Sequence, residues 1–180
     1  MQTYDEPIPD SVKIVRSTPA QWETSKDIRL RSLLEDPQAY ARSYEEEKAF
    51  PQERWLQRAS NPYGFLAIQD GIPLGMIAAL VQGETDNKVA HIVGVFVLKK
   101  ARGKGIGSGL LEAVLDKIKQ DSSIQTVQLS VNKEQIPAVK LYEKFGFHIT
   151  GEESQKMGDG NDHPVCLMEL VLKRKNDEQP

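Results

Sequence analysis

The chain has 180 residues, 39 % of them hydrophobic and 27 % charged, a composition that fits one ordinary globular domain with one core. Its formal net charge of −3 and pI near 5.7 argue against a general nucleic-acid binder, which carries a strongly basic face. The single cysteine, Cys166, precludes an internal disulfide, and three histidines without close His/Cys spacing argue against a structural zinc site, so no metal is expected.

Residues 1–11 are acidic and proline-containing, the opposite of a secretory signal, and are expected to form a flexible arm. No apolar run approaches the ~20 residues of a membrane span, so a cytoplasmic protein without a membrane partner is expected. Residues 12–16 read as a strand. Thr18, Glu23 and the apolar positions Ile28, Leu30, Leu33 and Leu34 predict a capped amphipathic helix ending near Asp36 and Pro37. A polar stretch follows, with Tyr40, Tyr44 and Glu45, Glu46 and Glu47; Pro51 then opens a second helix containing Trp55.

From Tyr63 the hydrophobic period changes. Residues 65–68 predict a strand, Asp70 and Gly71 a hairpin turn, and residues 73–81 the returning strand. Residues 88–98 are nearly continuous in Val, Ile and Phe, as in a central strand covered on both faces. Residues 105–118 carry an apolar stripe at helical spacing. Residues 124–131 alternate as a strand, residues 137–145 predict a helix stopped by Gly146, and Ile149 and residues 165–172 belong to two last strands. The segment 158–162, GDGND, reads as a turn, and Cys166 as a small core residue in an apolar run. Helices precede a hairpin-rich sheet and later alternate with strands, which predicts a mixed α/β (α+β) domain with a largely antiparallel sheet.

The chemistry concentrates between the buried strand and the striped helix, at Arg102, Gly103, Lys104, Gly105, Ile106, Gly107 and Ser108. Glycines remove Cβ atoms, so backbone N–H groups can approach a phosphate closely. A helix start adds unpaired donors and partial positive charge, and Lys99, Lys100, Arg102 and Lys104 add cations. A diphosphate is the natural ligand of such a nest. The nucleotide-triphosphate pattern GxxxxGK[ST] is absent. The dinucleotide pattern GxGxxG also fails, because its third glycine position falls on Ser108 or Leu110.

The run Arg102-x-x-Gly105-x-Gly107 resembles the Arg/Gln-x-x-Gly-x-Gly/Ala signature of the GNAT superfamily of N-acetyltransferases. A second segment resembles that family's Asn-x-x-Ala-x-x-Leu-Tyr-x-x-x-Gly-Phe helix, with Ala138, Leu141, Tyr142, Gly146 and Phe147 in place and Gln135 standing for the Asn. The resemblance covers about half the chain. It implies the GNAT fold, with a mixed, mostly antiparallel central sheet of about six or seven strands flanked by about four helices, as one domain over residues 12–173 with a tail at 174–180. It implies acetyl-CoA as cosubstrate, its pyrophosphate on the amides of Gly103 to Ser108 and its pantetheine arm along Val95, Phe96 and Val97, with Asn132 and Gln135 as further contacts. Lys99 replaces the family's usual proline after that strand.

In the resemblance Tyr142 matches the family's general acid; a phenol with pKa near 10 holds its proton at neutral pH. The oxyanion would meet a backbone N–H on the central strand, at Val97. His91 stands eleven residues before Arg102, where the histone-acetyltransferase branch has a catalytic Glu. It reads either as a general base, sharing a face with Val93, Val95 and Val97, or as a satisfied core histidine. Glu45, Glu46 and Glu47 are a second candidate base or an attractor of a cationic amine, and otherwise a solvated face; Tyr44 and Tyr40 are candidate walls of the acceptor site. The function this implies is transfer of acetyl to a primary amine of a small molecule, amino acid or peptide by direct attack in a ternary complex, in a monomer or homodimer. The alternative is a non-catalytic acyl-CoA-binding sensor.

Overall fold

The computed structural model describes residues 11–84 and 87–172. The expected arm (apart from Ser11) and the expected tail lie outside the described residues. The order is β1 (Val12–Arg16), α1 (Trp22–Glu35), α2 (Tyr44–Lys48), α3 (Gln52–Ala59), β2 (Phe65–Gln69), β3 (Ile72–Gln82), β4 (Lys88–Val97), α4 (Ile106–Lys119), β5 (Ile124–Asn132), α5 (Ile136–Lys144), β6 (His148–Lys156) and β7 (Asp162–Val171). The expected mixed sheet is present, with seven strands in the order β1-β2-β3-β4-β5-β7-β6.

The start of α1, the polar stretch after it and the extents of the last two strands differ from expectation. β6 runs through residues 148–156, mostly exposed and so without an apolar signal beyond Ile149, and β7 starts at Asp162, inside the expected turn. Thr18 precedes a 3-10 turn, Pro19–Gln21, and makes no capping bond to the backbone; its hydroxyl instead meets the Gln21 side chain at 3.1 Å, so α1 starts at Trp22. The polar stretch after α1 contains a helix that periodicity alone could not reveal, because α2 is only five residues long. A capping box forms it: the Glu46 N–H donates to Ser43 Oγ at 3.3 Å, and the Ser43 N–H donates to Glu46 Oε2 at 2.6 Å.

The β2–β3 hairpin turns on Asp70 and Gly71, at φ 49° and 78°, two successive left-handed residues as a two-residue turn requires. The stripe read on α4 is its buried face: Ile106, Leu110, Leu111, Val114, Leu115 and Ile118 all pack into the core. Truncating Leu110 to Ala there would cost about 2–5 kcal/mol. Every strand pair is antiparallel except β4–β5, whose parallel connection is made through α4.

That parallel pair is short. Pairing runs from Lys88↔Ile124 to His91↔Gln128 and stops, although β4 continues to Val97 and β5 to Asn132. The two central strands therefore part beyond His91 and Gln128.

Candidate active site

A bulge in β4 starts the site. Met76 pairs with Phe96 and Ala78 with Val93, so the single residue Ile77 faces the two residues Gly94 and Val95. Gly94 takes φ 64°, a conformation that glycine adopts without steric cost. The extra residue breaks the alternation on which the expected His91 face rested. Val97 turns toward α4, its Cγ2 lying 3.9 Å from where a Cβ on Gly107 would sit. His91 instead lines a groove on the side of α1 and α3.

Two side chains hold the bulged segment from outside the ladder. The Tyr40 hydroxyl donates to the Val95 carbonyl at 2.9 Å. Arg102 Nε donates to the Val97 carbonyl at 2.8 Å, and its Nη2 makes a short ion pair with Asp36. The guanidinium of Arg102 thus clamps the glycine loop to the end of β4 and to the residue after α1. The side chain of this arginine, expected among the coenzyme contacts, is engaged with Val97 and Asp36 in this structure.

Beyond the clamp, Gly103 and Gly105 take φ 77° and 71°, and Gly105 is the left-handed residue preceding α4. The first helical bond runs from the Gly109 N–H to the Gly105 carbonyl at 3.0 Å. The N–H groups of Ile106, Gly107 and Ser108 therefore have no acceptor within the helix. Gly103 and Lys104 are exposed, Gly105, Gly107 and Ser108 half-buried, and only the Ile106 side chain is committed to the core. An anion can reach these amides, and the donor set fits a diphosphate.

Tyr142 comes from the buried face of α5. Its ring packs edge-on against Phe147 with centroids 5.9 Å apart, and no group among the described residues hydrogen-bonds to its hydroxyl. Burial pushes its phenol well above the ordinary tyrosine value, and the nearby Tyr40 adds to this. It stays protonated at any physiological pH.

Asn132 is buried and occupied. Its amide donates to the Gln38 carbonyl at 3.1 Å and its side-chain oxygen accepts the Glu134 N–H at 2.9 Å. It shapes the β5–α5 turn, so the side chain expected to contact the coenzyme arm is engaged within the protein in this structure. Gln135 precedes α5 half-buried, with no capping bond from its side chain.

The groove beside β4 encloses about 1420 Å³. His91, Val93, Gln128 and Leu167 form part of its floor, and Tyr40, Trp55 and four arginines part of its wall. Of the candidate glutamates only Glu47 lines it; Tyr44, Glu45 and Glu46 do not. Glu47 is fully buried. It accepts from Arg29 Nε and Nη2 at 2.9 and 2.8 Å and from Arg58 Nη1 and Nη2 at 2.6 and 3.3 Å. Burial opposes its charge, but the Arg29 and Arg58 hydrogen bonds prevail and hold its carboxyl down at about 2. Glu47 is thus a buried carboxylate whose two oxygens are engaged by Arg29 and Arg58. Glu46 is spent on its capping box. Sequence reasoning missed Arg29, Arg42, Arg54 and Arg58, which carry no motif and converge only in space.

A model of the acetyltransferase (GNAT) family matches residues 29–147, a span that contains both sequence motifs, and the chain belongs to that family. It is 31 % identical over 106 residues to an N-alpha-acetyltransferase of Saccharolobus solfataricus, a match covering 54 % of this chain and 64 % of that protein, just under two thirds of its length. It is 27 % identical over 111 residues to a spermine/spermidine N(1)-acetyltransferase of Bacillus subtilis, covering 61 % of this chain and 70 % of that one. Among solved structures, Arabidopsis thaliana Naa50 in complex with the bisubstrate analogue CoA-Ac-MVNAL shares the fold, with a TM-score of 0.70 and 22 % identity over 90 % of this chain and 99 % of that chain.

Proposed function

We propose that the protein is an acetyl-CoA-dependent N-acetyltransferase that transfers acetyl directly to a primary amine. The observation that carries this reading is the parting of β4 from β5 beside the glycine loop, with a protonated, unpartnered Tyr142 hydroxyl from α5. The pyrophosphate is held by the amides of Gly103 to Ser108, and the pantetheine arm lies along Val95 to Val97, where the carbonyls of Val95 and Val97 are already taken by Tyr40 and Arg102.

The amine lone pair attacks the thioester carbonyl and forms the C–N bond. A β4 backbone N–H near Val97 stabilises the oxyanion. The C–S bond then breaks, and Tyr142 gives its proton to the departing thiolate. His91, facing the groove, takes the amine proton directly or through water. No enzyme nucleophile is required; Cys166 is buried in β7. The catalytic unit is the single domain at residues 12–173. It acts as a monomer or homodimer in a reducing compartment such as the cytoplasm; among the described residues no helix is long and apolar enough to cross a membrane.

The test is thiol release from acetyl-CoA with a panel of amines, amino acids and peptides, alongside calorimetric binding of coenzyme A. Acceptor-dependent release that falls about 10²-fold in Tyr142→Phe with coenzyme binding retained is the expected result. Binding without turnover of any acceptor would favour a sensor, and absence of binding would overturn the reading.

A further inference from the structure

We propose that the acceptor is an amine that also carries a carboxylate, as in an amino acid, and that Arg42 and Arg54 read this carboxylate with help from Arg58. The inference deepens the acetyltransferase reading and rests on it for the position of the amine.

The formally charged residues lining the groove are Arg29, Arg42, Arg54, Arg58 and Glu47. Four cations against one carboxylate leave three positive charges on one wall, in a protein whose overall charge is −3. Glu47 serves Arg29 and Arg58 together, so it neutralises only one of them. Arg42 and Arg54 have no ion pair among the described residues.

The arginines are also held in place. Arg54, Arg58 and Arg42 lie 4.0, 5.1 and 5.8 Å from the centroid of the single Phe50 ring. Phe50 in turn packs on Trp55 at 6.0 Å, and Arg58 lies 5.2 Å from the Trp55 ring. Stacking on aromatic faces leaves the guanidinium edges, with their planar N–H forks, available to a carboxylate. Gathering like charges costs Coulomb energy that an arriving anion would relieve.

A second observation points the same way. Two buried side-chain polar atoms among the described residues lack a partner, Arg29 Nη1 and Trp55 Nε1. Both are donors, and both residues belong to this wall. The wall is thus rich in donors and poor in acceptors; these two atoms are buried, and a carboxylate would meet the exposed forks of Arg42 and Arg54. Its cations repel a polyamine. The groove floor adds half-exposed apolar side chains, Leu80 at 48 % and Val93 at 36 %, which suit an apolar body between the carboxylate and the amine.

The test compares leucine with leucinamide and with spermidine as acceptors, in the wild type and in an Arg42→Gln/Arg54→Gln double variant. Both positions are solvent-exposed, so the variant should fold. The expected result is a kcat/KM at least about 10-fold higher for leucine than for leucinamide, the size of one charge-assisted hydrogen bond. In the double variant this ratio should collapse toward one, mainly through KM. A second arm is independent of turnover: calorimetric binding of N-acetylleucine against N-acetylleucinamide. Preference for the carboxylate in the wild type that disappears in the double variant supports the proposal even when no acceptor is turned over. Equal binding of the two, preferred use of leucinamide or spermidine, or a preference that survives the double substitution overturns it. Failure of the acetyltransferase reading itself would show separately, as loss of coenzyme A binding.

Discussion

The hydroxyl of Tyr40 donates a hydrogen bond to the Val95 carbonyl at 2.9 Å, so a residue after α1 fixes the bulge of the central strand. Arg29 lies over the same ring at 4.5 Å, and the Gly158 N–H donates to the Tyr40 carbonyl at 2.6 Å. One tyrosine therefore joins the arginine wall, the β6–β7 turn and the strand along which the thioester is proposed to lie. Tyr40→Phe leaves a partly buried carbonyl without its side-chain donor, and should cost about 1 kcal/mol in urea unfolding while raising the KM for acetyl-CoA. Unchanged stability would remove the bond from consideration.

The same burial makes the fold sensitive to alkali. Desolvation raises the Tyr40 phenol from 10.0 to about 12, against the pull of Arg29. The folded state then keeps a proton that the unfolded chain releases, so this contribution is complete below pH 10 and lost as pH rises from 10 to about 12. Wild-type unfolding free energy should fall steeply across that window, and the fall should be shallower in Tyr40→Phe.

Gly94 sits at φ 64° in the bulge, and a Cβ there would meet nothing within 4 Å. The cost of Gly94→Ala is therefore conformational alone, about 1–2 kcal/mol. If the bulge aligns the carbonyl of the thioester, kcat should fall in this variant more than coenzyme affinity does. Single-turnover rates beside calorimetric Kd values would separate the two.

Arg102 and Asp36 act as one unit, since the guanidinium bonds both the aspartate and the Val97 carbonyl. Arg102→Ala and Asp36→Ala should each weaken coenzyme A binding by loosening the glycine loop. The double variant should be no worse than Arg102→Ala, with a coupling of about 0.5–3 kcal/mol. Additive losses in a double-mutant cycle would show that the arginine contacts the coenzyme itself.

Glu47 balances two arginines in a fully buried position. Glu47→Gln should destabilise the fold by about 3–5 kcal/mol, because two cations lose their shared anion. Its carboxyl is held below the ordinary value, so the stabilisation is present above pH 4.5 and lost as pH falls from 4.5 to about 2. Unfolding free energy should fall more steeply between pH 4.5 and about 2 in the wild type than in Glu47→Gln, and equal slopes would overturn the assignment.

What the sequence alone determined is local and periodic. Alternation and helical stripes place β1 to β5 and α4 within a residue or two, while β6, largely exposed, showed only Ile149 and β7 begins three residues before its apolar run. The glycine loop and the Tyr142 helix stand out because backbone conformation and close approach restrict which residues fit. Even α2 was legible in principle from the spacing of Ser43 and Glu46. What only the tertiary structure decided depends on which distant side chains meet. The bulge at Gly94, invisible to an alternation count, turned Val97 toward α4 while His91 faced the groove. The glutamate run, open in sequence between a base, an attractor of cations and a solvated face, divides in the fold: Glu46 caps α2, and Arg29 and Arg58 close on Glu47. Charge in a chain is a property of each residue, but the sign of a pocket belongs to whatever folding brings together, and here that is four arginines from three segments, three of them around Phe50 and the fourth over Tyr40.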